Sequence, residues 1–230
     1  MTMQIAIDTS TDTAGLALVN DRRVTAEFTW NCGHNHTTQL LPNLRYLLEQ
    51  NSRTLESADC IIVATGPGSY NGLRVGLSTA RGLAFSLGIP VIGISTLEAE
   101  AWQHAETGLP VCPVLNAGRE EVACALYQMK DGQWGQLMNT QLSTIASLCS
   151  KIQTTTFFCG EHVQAVAAEL TERLHEKAVF SSPVSGFRRP GFLAELGLKR
   201  MDAGDFDDTA TLQPLYFRGP SITKPNPGKK

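Results

Sequence analysis

Long apolar runs are missing from the 230-residue chain. No eighteen consecutive apolar residues occur, which argues against a membrane-spanning helix. The opening Met1-Thr-Met-Gln-Ile-Ala-Ile-Asp8 also lacks a basic stretch followed by an apolar one, so no secretory leader and a cytoplasmic location are expected. A basic excess is missing too. Nineteen Lys and Arg against 22 Asp and Glu leave a net charge of −3, so the chain has no electrostatic footprint for gripping nucleic acid unaided. The six cysteines, Cys32, Cys60, Cys112, Cys124, Cys149 and Cys159, include no CxxC pair. Buried free thiols are therefore expected, rather than disulfides or a zinc ribbon. A Gly-x-Ser-x-Gly elbow, a Walker Gly-Lys-Ser/Thr and a dinucleotide GxGxxG are all absent, which leaves hydrolase, P-loop and Rossmann chemistry without an anchor.

What is present is concentrated between Ala64 and Ala84. The apolar Ile61 to Ala64 feeds Gly66-Pro-Gly68, then a helix expected from about Tyr70 to Leu87 with Ser69 as its N-cap. Such a strand-turn-helix delivers a helix N-terminus to a ligand or partner. Gly72, Gly76, Ala80 and Ala84 recur every four residues, which leaves one helix face nearly bare. Membrane helices share that spacing, but Arg74 and Arg81 interrupt it, so a soluble helix pair is expected.

The rest of the chain alternates strand and helix patterns. Gln4 to Asp8, Ala14 to Val19 and Arg23 to Trp30 read as a meander with a hydroxyl-rich first loop. His36 to Asn51 carries Leu40, Leu41, Leu44, Leu47 and Leu48 at helical spacing. Strand 60–65, strand Val91 to Ile94 and a helix from Thr96 to about Glu106 close a first lobe, residues 1–107. Pro110 to Asn116, Glu121 to Met129 and Gln133 to Gln141 form a second meander, followed by Ser143 to Lys151, a strand Thr156 to Cys159 and a helix Glu161 to Glu176. These make a second lobe, residues 108–220, whose meander repeats the opening pattern without repeating its residues. Residues 221–230, rich in Pro, Gly and Lys, read as a disordered tail.

Few residues carry chemistry. Asp8 at a strand end, with Thr9, Ser10 and Thr11 after it, would offer Mg²⁺ a carboxylate and phosphate a set of amides and hydroxyls. The same residues equally satisfy a plain hairpin turn. His34 and His36 beside Cys32 lack a third ligand nearby and fit helix capping better than metal binding. Asn116 to Val122 either reaches a cleft or forms a hairpin turn, and the turn is the simpler reading.

Taken together, Ala6-Ile-Asp-Thr-Ser10, His36-Thr-Thr-Gln-Leu-Leu-Pro42, Gly66-Pro-Gly-Ser-Tyr-Asn-Gly-Leu-Arg-Val-Gly76, Ile92-Gly-Ile-Ser-Thr-Leu97 and Gln213-Pro-Leu-Tyr-Phe-Arg218 closely resemble the bacterial TsaB (YeaZ) family. The resemblance implies an α/β chain with the actin/Hsp70-like (ASKHA) fold of two RNase H-like lobes, each a mixed sheet flanked by helices. It also implies a role in forming N6-threonylcarbamoyladenosine at position 37 of ANN-decoding tRNAs, as a non-catalytic relative of the transferase TsaD. Thr96 and Glu100 resemble the positions of two metal-binding histidines of TsaD, and a hydroxyl and one carboxylate do not replace two imidazoles. No catalytic or metal residue is therefore expected.

The implied partners are TsaD, the ATPase TsaE, and tRNA only within the complex, with a homodimer when the chain is alone. The implied interface is His36, Leu40, Leu41, Leu44 and Leu48 on one helix with Tyr70, Leu73, Arg74, Gly76, Leu77 and Ala80 on the next, the bare face serving as a groove. Asp8, Thr9 and Ser10 are the candidate cofactor residues, with ATP or ADP conceivable in the complex. Asn116-Ala-Gly118 and Glu121-Val-Ala123 depart from the family's Asp-Ala-Arg and Glu-Val-Tyr, which weakens any role for the second-lobe cleft. The competing classes are a sugar- or acetate-kinase-like ATP-dependent phosphotransferase resting on Asp8, and a peptidase, which the missing histidine pair and nucleophile elbow count against.

Overall fold

The computed structural model describes residues 2–217; the expected tail at 221–230 and Arg218 of the last motif lie outside them. Strands β1 (Met3–Asp8), β2 (Thr13–Asn20) and β3 (Arg23–Asn31) form the first meander. Helix α1 (His36–Gln50) leads to β4 (Cys60–Gly66), α2 (Tyr70–Leu87) and β5 (Val91–Ser95). The sheet order is β3-β2-β1-β4-β5, antiparallel in the meander and parallel from β1 through β4 to β5. Helix α3 (Thr96–Trp102) follows.

The second sheet repeats this topology. Strands β6 (Val111–Gly118), β7 (Glu121–Lys130) and β8 (Gln133–Ser143) form its meander, and helices α4 (Ile145–Cys149) and α5 (Val163–Leu174) bracket β9 (Thr156–Cys159), with β10 (Ala178–Phe180) after them. Its order, β10-β9-β6-β7-β8, matches the first sheet strand for strand. Two lobes, each a five-stranded mixed sheet flanked by helices, are the expected α/β architecture.

The strand and helix assignments follow from patterning. In β1, Ile5 and Ile7 pack against Leu40, Leu44, Leu77 and Ala80 of α1 and α2, while Ala6 between them packs on the opposite face with Leu193 and Ala194. A strand covered on both faces reads as a continuous apolar run. Helix α2 begins where Ser69 accepts a hydrogen bond from Gly72 N–H and ends at Gly88 in the left-handed region.

Two features depart from expectation. Helix α3 stops at Trp102 rather than near Glu106: the chain tightens into a 3₁₀ turn at Ala105–Thr107 and reverses at Gly108, φ +69°. The second departure is an element that the sequence pattern left unassigned. Helix α6 (Pro190–Asp202) packs on β1, β2 and α3, and Asp207 bridges to Val91, so residues 190–217 of the expected second lobe return to the first sheet. Pro190 at the first helical position, after Arg188-Arg189, is the signal that marks this helix.

Helix α3 lies between the sheets. Ala99 and Trp102 belong to the core over the first sheet, and Leu97 and Ala101 to the core over the second. Burial all round lets it couple the lobes, and it carries the wholly buried Glu100 with it.

Candidate functional site

The small-residue stripe of α2 is occupied by the chain's own first loop. A Cβ on Gly72 would stand 2.1 Å from the Thr9 carbonyl oxygen, one on Gly76 2.2 Å from Thr9 Oγ1, and one on Gly68 2.0 Å from the Ser10 carbonyl oxygen. The glycines are there so that β1 and its loop can press against the helix. The groove side of the expected interface is filled from within: Leu73, Gly76, Leu77 and Ala80 are buried in the chain's own core, as are His36, Leu40, Leu44 and Leu48. His36 Nε2 donates to the Thr11 carbonyl oxygen at 2.7 Å, holding α1 to the same loop. Of the expected interface, Leu41 is 50% exposed, Arg74 is exposed and Tyr70 half-buried. Tyr70 packs at a tilt on Tyr216 of the C-terminal segment, ring centroids 4.7 Å apart, with Arg74 over its ring.

Asp8, Thr9 and Ser10 are also turned inward. Thr9 Oγ1 donates to the Gly72 carbonyl oxygen, and Ser10 donates to Asp8 Oδ1 from both its amide and its hydroxyl. Asp8 Oδ2 accepts from Nε of Arg188, a residue 180 positions away and itself 3% exposed. Arg188 Nη2 donates to Ser10 Oγ at 2.9 Å, while Nη1 stands 3.6 Å from Glu100 Oε2 and from Glu161 Oε1. Thr11 Oγ1 donates to Glu161 Oε1 at 2.6 Å and so joins the first loop to the second lobe.

Burial by itself pushes the Asp8 carboxyl up, but the Arg188 guanidinium and the Ser10 hydrogen bonds outweigh it, and the net direction is down. Burial dominates at Glu100: Arg188 offsets it only in part, Glu161 and Asp8 add to it, and the carboxyl is pushed up to about 7. Glu161 moves up for the same leading reason. Asp8 is therefore an ionised carboxylate already paired inside the protein, an arrangement that favours the structural reading of the Asp8-Thr9-Ser10 turn over a ligand loop.

Above this floor an open groove of about 410 Å³ runs between the lobes, bordered by Thr11, Asp12, Ser69, Asn116, Glu161 and His162. The Ser69 amide donates to the Ser10 carbonyl and the Gly72 amide to Ser69 Oγ. Those two helix-start amides are spent, and Asp12 and Glu161 would repel a polyphosphate. Asn116 Oδ1 accepts from Gly118 N–H at 2.8 Å, and Arg119 and Glu120 both have positive φ. That is the geometry of a two-residue hairpin, so the turn reading of this segment holds.

All six cysteines are free and buried. Desolvation pushes Cys60 to about 12 and Cys124 to about 11, and Cys112 and Cys159 well above the ordinary thiol value, so none of these four is an activated nucleophile.

The comparisons with known proteins agree with this architecture. The TsaD family profile, tRNA N6-adenosine threonylcarbamoyltransferase, matches residues 31–185. The Bacillus subtilis protein named tRNA threonylcarbamoyladenosine biosynthesis protein TsaB is 31% identical over 217 residues, 93% of each chain. The chain belongs to the TsaB family. Among solved structures, YeaZ from Pseudomonas aeruginosa superposes with a TM-score of 0.78 at 23% identity, covering 94% of this chain and all of that one. The (R)-2-hydroxyglutaryl-CoA dehydratase component A of Acidaminococcus fermentans superposes at 0.54 and 13% identity, over 88% of this chain and all of that one, a likeness of fold alone. Among the described residues no helix is long and apolar enough to cross a membrane.

Sequence reasoning found the loop, the glycines and Glu100, and missed Arg188. The missing signal was the Arg-Arg-Pro-Gly start of α6, which brings Arg188 back to Asp8.

Proposed function

We propose that this chain is a non-catalytic subunit in the formation of N6-threonylcarbamoyladenosine on tRNA, docking a TsaD-type transferase through the outward faces of α1 and α2. The observation that carries the reading is the Arg188 plug: the carboxylate that a phosphotransferase of this fold would use is paired internally, while the outer faces of the same two helices expose apolar side chains. Leu41 is 50%, Tyr46 56% and Phe85 83% exposed. Aromatic and leucine side chains set in a polar surface suit a protein interface. Arg74 and Arg45 on the same faces supply a polar rim.

In this reading the partner face is the outside of the helix pair rather than its glycine side, and the same surface pairs two copies when the transferase is absent. TsaE and tRNA join only through the complex, consistent with the net charge of −3. Leu41→Asp with Phe85→Asp should abolish co-elution with the transferase in size-exclusion chromatography with light scattering, while circular dichroism stays unchanged. Unaltered co-elution of that variant refutes the outer-face interface, and an ATP-dependent phosphotransfer activity lost in Asp8→Asn refutes the non-catalytic reading.

A further inference from the structure

One carboxylate of the network around Asp8 faces Arg188 without hydrogen-bonding to it, and a buried imidazole nitrogen beside it has no hydrogen bond either. Neither carboxylate oxygen of Glu100 has a hydrogen-bond partner, although the residue is wholly buried, and the buried Nε2 of His104 has none either. Arg188 Nη1 stands 3.6 Å from Glu100 Oε2, beyond hydrogen-bond length. Arg188 balances the Glu100 charge in part, but buried polar atoms are nearly always hydrogen-bonded, so a carboxylate and an imidazole nitrogen side by side without hydrogen bonds point to an occupant that the polypeptide does not supply. The third neighbour is Cys159 at the end of β9, whose Sγ lies 3.9 Å from the Glu100 carbonyl oxygen. One donor atom each from Glu100, His104 and Cys159 falls within 4.8 Å of the others.

We propose that Glu100, His104 and Cys159 form a site for zinc or another borderline divalent transition-metal ion, tying α3 to the end of β9 and hence the first sheet to the second. The mixed sulfur, nitrogen and oxygen donor set selects such an ion, since magnesium and calcium take oxygen ligands. Ligand bonds of about 2.0–2.3 Å require the three donors to close on one another by roughly an ångström, a movement within reach of side-chain torsions. A thiolate and a carboxylate balance the dication, the Cys159 proton and any proton on Glu100 leaving to solvent as it binds. The half-exposed His104 ring, packed on Phe157 at 4.8 Å, gives the ion a way in. Three ligands leave the fourth tetrahedral position to water.

This set shares only Glu100 with the two positions singled out by family resemblance. Thr96, one turn earlier, is engaged elsewhere, its hydroxyl oxygen accepting from Gly66 N–H. Glu100 and His104 are four residues apart, whereas Cys159 arrives from the other sheet, and sequence spacing does not reveal such a site.

The test is cobalt titration of the chelator-stripped full chain, followed by zinc competition. One equivalent should bind with a thiolate-to-cobalt charge-transfer band and four-coordinate visible bands, and zinc should displace it. Glu100→Gln, His104→Ala and Cys159→Ser should each weaken binding by more than about a hundredfold, beyond the usual effect of outer-sphere changes. Cys32→Ser and His34→Ala should leave it unchanged. A folded wild-type chain that shows no charge-transfer band, as it would if water alone filled the site, overturns the proposal, and this outcome needs no variant to fold. A band that survives in folded Cys159→Ser overturns it as well.

Discussion

Replacing Gly76 by alanine tests why α2 carries a stripe of small residues. The added methyl would stand 2.2 Å from Thr9 Oγ1, whereas ordinary contact begins at 3.4 Å, so the loop or the helix must move by more than an ångström. Thr9 is short, buried and tied by its hydroxyl to the Gly72 carbonyl at 2.7 Å, which puts the overpacking at the upper end of its usual range, about 3 kcal/mol. The better helix propensity of alanine returns about 1 kcal/mol. A net loss of about 2 kcal/mol should appear as a lower urea midpoint at unchanged slope.

Thr9→Ala removes the obstructing oxygen and by itself costs about 1 kcal/mol for the lost hydrogen bond. In that background Gly76→Ala should gain about 1 kcal/mol from helix propensity, a coupling of about 3 kcal/mol. Gly72→Ala should gain no such rescue, because its obstacle is the Thr9 main-chain oxygen at 2.1 Å. Gly82 on the outer face has nothing within 4 Å of its added Cβ, so Gly82→Ala should stabilise by about 0.5–1 kcal/mol. Additivity of the Thr9 and Gly76 changes to within about 0.5 kcal/mol, or a Gly76→Ala midpoint equal to wild type, would refute the packing account.

Three further outcomes follow from the buried charges and thiols. Arg188→Met should destabilise by about 3–5 kcal/mol near neutral pH, because it strands Asp8 beside Glu100 without a cation; a midpoint within 1 kcal/mol of wild type by chemical denaturation would show that water already screens the cluster. Asp8 has a folded-state pKa below its unfolded value, so its contribution is full above the unfolded pKa and vanishes as pH falls through the folded one. Asp8→Asn should therefore be less stable than wild type near pH 7, with the gap closing below about pH 4; a gap that widens on acidification contradicts the pairing with Arg188. In the native state, buried Cys60, Cys112, Cys124 and Cys159 should resist maleimide and react only after denaturation, as mass spectrometry of the labelled peptides would show; rapid native labelling of Cys112 would mean that the second core is open.

The local elements are legible in the residues alone, because their causes are local. Alternating Ile5, Ala6 and Ile7 make a strand covered on both faces, the leucines of α1 make a stripe, and Ser69 and Gly88 cap α2 without reference to distant residues. The repeated meander was legible for the same reason, as was the buried, unpaired character of the cysteines. Family motifs from Ala6 to Leu97 carried the rest of the fold, since they mark positions where two segments touch. Tertiary structure alone decided which face of α2 was free. The glycine stripe has the same spacing whether it admits a partner helix or the chain's own Thr9 loop, and only the position of β1 distinguishes the two. It also decided the electrostatics, because Arg188 reaches Asp8 across 180 residues, and Glu100, His104 and Cys159 converge from a helix and a strand of the other lobe. Coulomb and coordination forces act over a few ångströms of space, and a linear spacing does not encode that distance once the chain has folded back on itself.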